Sequence, residues 1–322
     1  MKRPFLTYNP KDSSDKNKYP LRKGKVKRAT CRRIAKVAGR SMNSFHWQTA
    51  YLTIPWNWWG LVPVFSYVFG PVVFKFFIPQ YLQKIKVLKR PVKSVDHELD
   101  SKIPFKPSYL KCYMDFVNVW VRPLVMLVHR FGIMNGSKLA GEFLRYIKMT
   151  YEQAYEVYKV TFTTTKRPES DLKGIKKLHK ADPHYCCVPS LHISIVCLCY
   201  SFHKMIFERE SFTEYEKEKW TKELHSRVIE IAETVLYLKQ HSVNCIPAAL
   251  YMMTRITPEL FTPADAVNFI NDLFVNSEDI KEEDRKKINS HIQFTYERFL
   301  LEGCFQDDWT RPLINWIESY KG

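Results

Sequence analysis

The groups in this chain best placed to do chemistry are two histidines and the hydroxyl and cations near them in sequence. Pro189-Ser190-Leu191-His192 sets a hydroxyl and an imidazole at the start of an apolar run that reaches Phe207. A helix beginning there has unpaired backbone N–H groups in its first turn, which favour an anion, and the Ser190 hydroxyl can cap that helix or donate to a phosphate oxygen. His192 is suited to protonating a departing alkoxide, because an imidazole titrates near neutrality. A second imidazole, His241, follows Thr234-Val235-Leu236-Tyr237-Leu238-Lys239-Gln240 in an otherwise apolar helical segment, where an idle imidazole is expensive to bury. Upstream, Lys166-Arg167-Pro168 puts two cations beside a proline that stops the preceding helix. Arg167 offers a planar fork matched to phosphate oxygens and Lys166 a point charge. Two imidazoles, a hydroxyl and a cation pair are the parts of a phosphoryl-transfer site.

Helices must position these groups. With only 10 glycines and long stretches of helix-forming and aromatic residues, the chain reads as mainly helical. Tyr51 to Leu82 is apolar apart from Lys75, opens on Trp56, Trp58 and Trp59, and resembles a membrane segment with an interfacial aromatic belt. Pro55, Pro63 and Pro71 are expected to kink it or make it re-entrant. Tyr109 to Ile133 is a second, weaker membrane candidate. Ser137 to Thr163 carries Leu139, Phe143, Leu144, Ile147, Tyr151, Ala154, Tyr155 and Tyr158 on one helical stripe. From Thr254 onward the composition is that of a soluble segment, with Thr257-Pro258 and Thr262-Pro263 as helix starts.

The net charge of +17 is concentrated at one end: Lys2 to Arg40 holds 14 basic residues against Asp12 and Asp15. Such an arm touches polyanions, and the aromatic sequence that follows favours an anionic membrane surface over nucleic acid as its partner. The arm carries no apolar run of signal-peptide length, so it is expected to stay on the cytoplasmic side. A mean hydropathy of -0.32 argues against six clean membrane spans. The 8 cysteines lack paired spacing and read as reduced thiols, with neither a metal site nor a disulfide framework indicated.

Arg-Pro, then Asp-Pro-x-Tyr-x-Cys-x-Pro-Ser-Leu-His, then Thr-x-x-Tyr-x-Lys-Gln-His, in that order, resembles the type 2 phosphatidic acid phosphatase superfamily, most closely its lipid phosphatase and sphingolipid-type phosphotransferase branch. The resemblance spans Tyr109 to Met253 and is strong only across the three motifs. It implies an all-α, membrane-associated six-helix bundle with a helical C-terminal extension. His241 would attack phosphorus to form a phosphohistidine, and His192 would act as general acid. Arg167 would neutralise the transition-state charge with Lys166 or Lys159 assisting, beside Ser190; no metal or cofactor is called for. Four residues after the nucleophile the family carries an orienting aspartate, and this chain has Cys245, a poor acceptor that is uncharged near neutral pH. Asn244 lies one residue out of register, as a neutral acceptor only. The domain plan that follows is 1–45, a basic arm; 46–108, an apolar aromatic membrane-associated segment and linker; 109–254, the catalytic core; and 255–322, a soluble helical extension. The expected function is a phosphatase or phosphotransferase acting on lipid phosphate esters. The alternative is a catalytically impaired relative that binds anionic lipid headgroups or a protein partner.

Overall fold

A computed structural model of the chain describes residue 26 and residues 28–321; most of the basic arm, residues 1–25 and Lys27, lies outside the described residues. The protein is all-α, with 69% helix and 2% strand. Its helices are α1 (Cys31–Val37), α2 (Gln48–Thr53), α3 (Trp58–Lys84), α4 (Leu110–Met114), α5 (Phe116–Phe131), α6 (Ile133–Tyr158) and α7 (Lys173–Ala181), followed by α8 (Leu191–Arg209), α9 (Glu214–Tyr237), α10 (Cys245–Ile256), α11 (Pro263–Asp272), α12 (Glu282–Gly303) and α13 (Arg311–Ser319). Two short parallel strands, β1 (Val92–Ser94) and β2 (Phe162–Thr164), pair in the register Val92 to Phe162.

Helix α8 lies at the centre, packed against α5, α6, α9 and α10. Its sequence explains the position, because it is apolar on every face and such a helix has to be enclosed on every face. Helix α9 changes character along its length. Its charged first half starts from a capping box between Thr213 and Glu216, and its second half, from Val228 to Tyr237, is buried. Of the stripe expected on α6, Leu139, Phe143, Leu144, Ile147, Ala154 and Tyr158 are buried and Tyr151 and Tyr155 half-buried, and the helix ends at Tyr158 rather than Thr163. Helices α5 and α6 join at Gly132, whose φ of +83° suits glycine, and they approach so closely that a Cβ at Gly136 would lie 2.5 Å from the Val128 Cα. The C-terminal helices continue the same core, with Tyr251 of α10 against Phe299 and Trp309, and Thr254 hydrogen-bonded to Tyr296 at 2.9 Å.

Several local expectations change. Pro63 and Pro71 do not break α3; each is followed by a π-helical stretch in which, for example, the Gly70 N–H donates to Phe65 O. A proline cannot donate to the carbonyl four residues back and crowds it, and widening the turn by one residue accommodates both defects. Tyr109 to Ile133, the weaker membrane candidate, forms α4 and α5, neither of which is long and apolar enough to cross a membrane, and most of the apolar residues from Val119 to Phe131 are buried in protein. Thr262-Pro263 does start a helix, through a Thr262 and Asp265 capping box, but Thr257-Pro258 is a turn that ends α10. Arg167-Pro168 follows strand β2 rather than a helix, because α6 already ends at Tyr158.

Among the described residues, α3 alone is long and apolar enough to cross a membrane; its 27 residues have a mean hydropathy of 1.9 over the most apolar window, of which 11% is buried.

Candidate active site

Three loops converge beside the start of α8. Strand β2 is sewn to the segment before α8 by Thr163, whose N–H donates to Tyr185 O (3.0 Å), whose carbonyl accepts from the Cys187 N–H (3.3 Å), and whose hydroxyl accepts from the Val188 N–H (2.8 Å). That stitching fixes Arg167, three residues past β2, relative to Ser190 and His192. Ser190 is the N-cap of α8 and its Oγ accepts from the Ile193 N–H at 3.4 Å, as its position before an apolar run leads one to expect.

His241 is not on a helix. Helix α9 stops at Tyr237, and Lys239, in a left-handed conformation (φ +53°), turns the chain so that His241 faces the start of α8. The Lys239 ammonium anchors this turn by donating to the Asp100 and Ile103 carbonyls. His241 Nε2 then lies 3.1 Å from Ser190 Oγ and 3.2 Å from His192 Nδ1. The His192 ring is held against Phe116 and Tyr113, with centroids 4.7 and 5.1 Å away.

Arg167 Nη1 approaches Asp182 Oδ2 at 3.5 Å and Gln240 Oε1 at 3.4 Å, and its Nη2 donates to the Asp182 carbonyl at 3.2 Å. Asp182 also accepts from the His184 N–H at 3.0 Å, and the His184 ring sits 2.8 Å from the Thr165 hydroxyl. Asp182 and His184 were not picked out as site residues from sequence. The signal was present in Asp182-Pro183-His184, a charge and an imidazole beside a proline just ahead of the Pro-Ser-Leu-His motif.

The other expected phosphate ligands are elsewhere. Lys159 is exposed and pairs with Glu156 one helical turn back, and Lys166 is fixed by its backbone N–H to Asp96 (2.8 Å) with its side chain in solvent. Lys166 points away from Arg167, since adjacent residues of an extended chain point opposite ways, and Lys159 sits at the end of α6, before strand β2. Asn244 turns away from His241: its amide donates to Val95 O (3.1 Å) and Tyr320 Oη (2.9 Å), and its oxygen faces His291 Nε2 at 2.8 Å. Cys245 is completely buried at the start of α10 and does not serve His241, whose Nδ1 is buried without a hydrogen-bond partner.

Burial in this apolar setting holds the His241 imidazole well below its ordinary pKa; the neighbouring His192 and His184 push the same way, and the Asp182 charge opposes them. Burial likewise lowers His192 to about 4. Burial works to raise Asp182, yet its hydrogen bonds to His184 and the charges of His184 and Arg167 outweigh it and bring the carboxyl down to about 2. Near neutral pH His192 and His241 are therefore neutral, beside the Asp182 carboxylate and the Arg167 guanidinium. Among the described residues no group of three or more His, Cys, Asp or Glu side chains is arranged to hold a metal ion.

Both histidines, Asp182, His184 and Gln240 line one end of a cavity of about 610 Å³ whose remaining wall is apolar, including Phe76 and Val68 of α3, Trp120 and Leu124 of α5, and Ile147 of α6. Compared with protein-family models, with curated proteins and with solved structures, the chain matches none.

An anion placed against His192 favours its protonated form, so binding is expected to take up a proton. Inorganic sulfate keeps its charge across the neutral range and reads this coupling directly. Its affinity should fall as pH rises between about pH 5 and 8, approaching tenfold per pH unit while bound His192 is protonated and free His192 is not. Calorimetry in two buffers of different ionisation enthalpy checks it; an affinity independent of pH would mean that the anion does not engage His192.

Proposed function

We propose that the protein is a membrane-associated phosphatase or phosphotransferase acting on lipid phosphate esters, with the basic arm on the cytoplasmic side, and that its helical core is a relative of the six-helix bundle of the type 2 phosphatidic acid phosphatases. The observation that carries this reading is the meeting of His192 Nδ1 and His241 Nε2 at 3.2 Å, beside Ser190, at the polar end of an apolar cavity. In the reaction His192 enters as the imidazolium formed when the phosphate anion binds; His241 Nε2 forms a bond to phosphorus as the bond from phosphorus to the lipid oxygen breaks, and His192 gives the leaving alkoxide that proton. Water, or a second alcohol in a transfer, then attacks the phosphohistidine while His192 takes up the proton, and His241 leaves as neutral imidazole. Arg167 is assigned the charge that gathers on the phosphoryl oxygens; it is held by Asp182 and Gln240, which line the cavity, while it does not line the cavity itself.

Incubating detergent-solubilised protein with a lipid phosphate radiolabelled in the phosphoryl group, then quenching in base, tests this. Acid-labile, base-stable label on the peptide containing His241 is the expected result; turnover without such label would rule out the covalent step.

The unpartnered Nδ1 of His241 supports a second reading, a pocket that binds anionic headgroups without turnover, because no carboxylate holds that nitrogen and the Asp182 charge does not outweigh burial. Loss of an orienting carboxylate in another histidine-based site costs about 10⁴ in rate. Cys245→Asp distinguishes the two: a large gain in phosphate release marks an enzyme slowed by the thiol, and headgroup binding with no turnover in either form marks a binder.

A further inference from the structure

We infer that α3 does not cross the bilayer but lies along a single leaflet, with its outward face in the acyl chains and both of its ends on the same side of the membrane. This holds whether or not the histidines turn over a substrate.

The outward face is apolar and uncovered: Trp58, Phe65, Phe69 and Phe74 are 74%, 57%, 60% and 67% exposed. A span of 27 residues at about 1.5 Å per residue is long enough to cross, so length alone would allow a transverse helix. What forbids it is the partner along its inner face. Helices α3 and α6 run in the same direction, side by side, from Trp59 beside Lys138 to Phe76 beside Tyr151. Helix α6 presents charge along this whole seam. Lys138 lies over the Trp59 ring at 4.8 Å, and Arg145 over Tyr67 at 5.9 Å. Glu152 takes Lys148 at 2.8 Å and Lys75 of α3 itself at 3.4 Å.

If α3 stood across the bilayer, these cations and this carboxylate would be spread over every depth, including the centre, where a charged side chain is most costly. With α3 in the plane of the membrane they all sit at one depth, that of the headgroups. Lysine and arginine side chains are favourable there, and more so beside anionic lipid. The flanking sequence agrees in sign, since the arm before α3 carries the 14 basic residues from Lys2 to Arg40.

Both ends of α3 are also tied to the same globular body. At the start, Asn57 Nδ2 donates to Ser137 Oγ at 2.8 Å. At the finish, Gln80 Oε1 accepts from the Tyr185 N–H at 2.9 Å, Lys84 Nζ donates to Lys180 O at 3.1 Å, and Tyr81 Oη donates to Ala181 O. A crossing helix would separate these two anchorages by a bilayer. The body they belong to buries its own apolar helices and has no other described helix suited to lipid. One consequence follows for the cavity: α3 forms part of its wall, so a lipid in the occupied leaflet reaches it without leaving that leaflet.

The test uses the full chain synthesised in the presence of sealed vesicles of phosphatidylcholine with about one third phosphatidylglycerol. Flotation reads binding, and a membrane-impermeant amine reagent followed by mass spectrometry reads the position of Lys36, before α3, and Lys86, after it. The expected result is co-flotation with both lysines labelled to the same extent before and after detergent opens the vesicles. A second variant, Phe65→Asp with Phe69→Asp and Phe74→Asp, changes only exposed side chains. It should keep the helical circular dichroism and lose flotation by about tenfold or more. Protection of one lysine until detergent is added would overturn the inference in favour of a crossing helix. Failure of the native chain to float, or undiminished flotation of the triple variant, would overturn it by showing that this face does not hold the membrane.

Discussion

Alanine at His241 is expected to reduce phosphate release from a lipid phosphate to background, and alanine at His192 to lower it by about 10² to 10⁴-fold. The two effects differ because the two imidazoles meet the substrate differently. His241 is assigned the bond to phosphorus, so its loss removes the covalent path altogether. His192 is assigned a proton, and the need for that proton depends on the leaving group. An aryl phosphate whose phenolate departs unprotonated should restore much of the first step in His192→Ala and none of it in His241→Ala. This contrast is more informative than either loss alone, since a merely structural role for His192, packed between Phe116 and Tyr113, would impair both substrates equally. Phosphate release by the purified variants, with equal circular dichroism as the control, is the measurement; unchanged turnover in both would sink the proposed function.

The second large effect is on stability. Glu216→Gln is expected to cost about 3–5 kcal/mol, read as a fall in the urea midpoint at constant slope. Arg130 and Glu216 are 1% and 6% exposed at their side chains and pair through two contacts of 2.5 and 3.0 Å. The guanidinium also donates to Ser211 O at 2.6 Å and lies 4.1 Å above the Phe212 ring, and the carboxylate accepts from the Thr213 N–H as the capping box of α9. Glutamine fills the same space but leaves a buried guanidinium without its counter-charge, and the low-dielectric surroundings make that costly. Replacing both partners together, Arg130→Met with Glu216→Leu, should recover most of the loss, because the penalty comes from the orphaned charge rather than from the absence of the pair. The contrast is Lys217, whose partners Glu208 and Glu214 are 65% and 89% exposed; Lys217→Ala should leave the urea midpoint essentially where it is, because water screens exposed pairs.

How far the sequence carries depends on how local each cause is. Ser190 as a helix cap, Thr262-Pro263 as a helix start, the stripe on α6 and the all-round burial of α8 depend on near neighbours, and each was legible. So was the all-α class. The prolines of α3 misled because a proline's effect on a helix depends on whether the backbone can widen by one residue, which the residue type does not state. Tyr109 to Ile133 misled because apolar composition reads the same whether the neighbour is lipid or protein. The stop of α9 before His241 was hidden by Lys239, a residue with no special liking for the left-handed conformation it takes, held there by carbonyls from Asp100 and Ile103.

The histidine pair shows the same division. Residue types and order single out Ser190, His192, Arg167 and His241 as a candidate phosphate-directed set, and the family resemblance marks Cys245 as the position where that family carries a carboxylate. Sequence did not say that two imidazoles 49 residues apart meet at 3.2 Å, that Asp182 rather than Lys166 or Lys159 is the charged neighbour of Arg167, or that the Nδ1 of His241 is left alone. Composition determines what a side chain is able to donate, accept or carry. Only the packing of β2, the α8 start and the turn after α9 decides which of those capacities face one another, because distance and burial are properties of the assembled core.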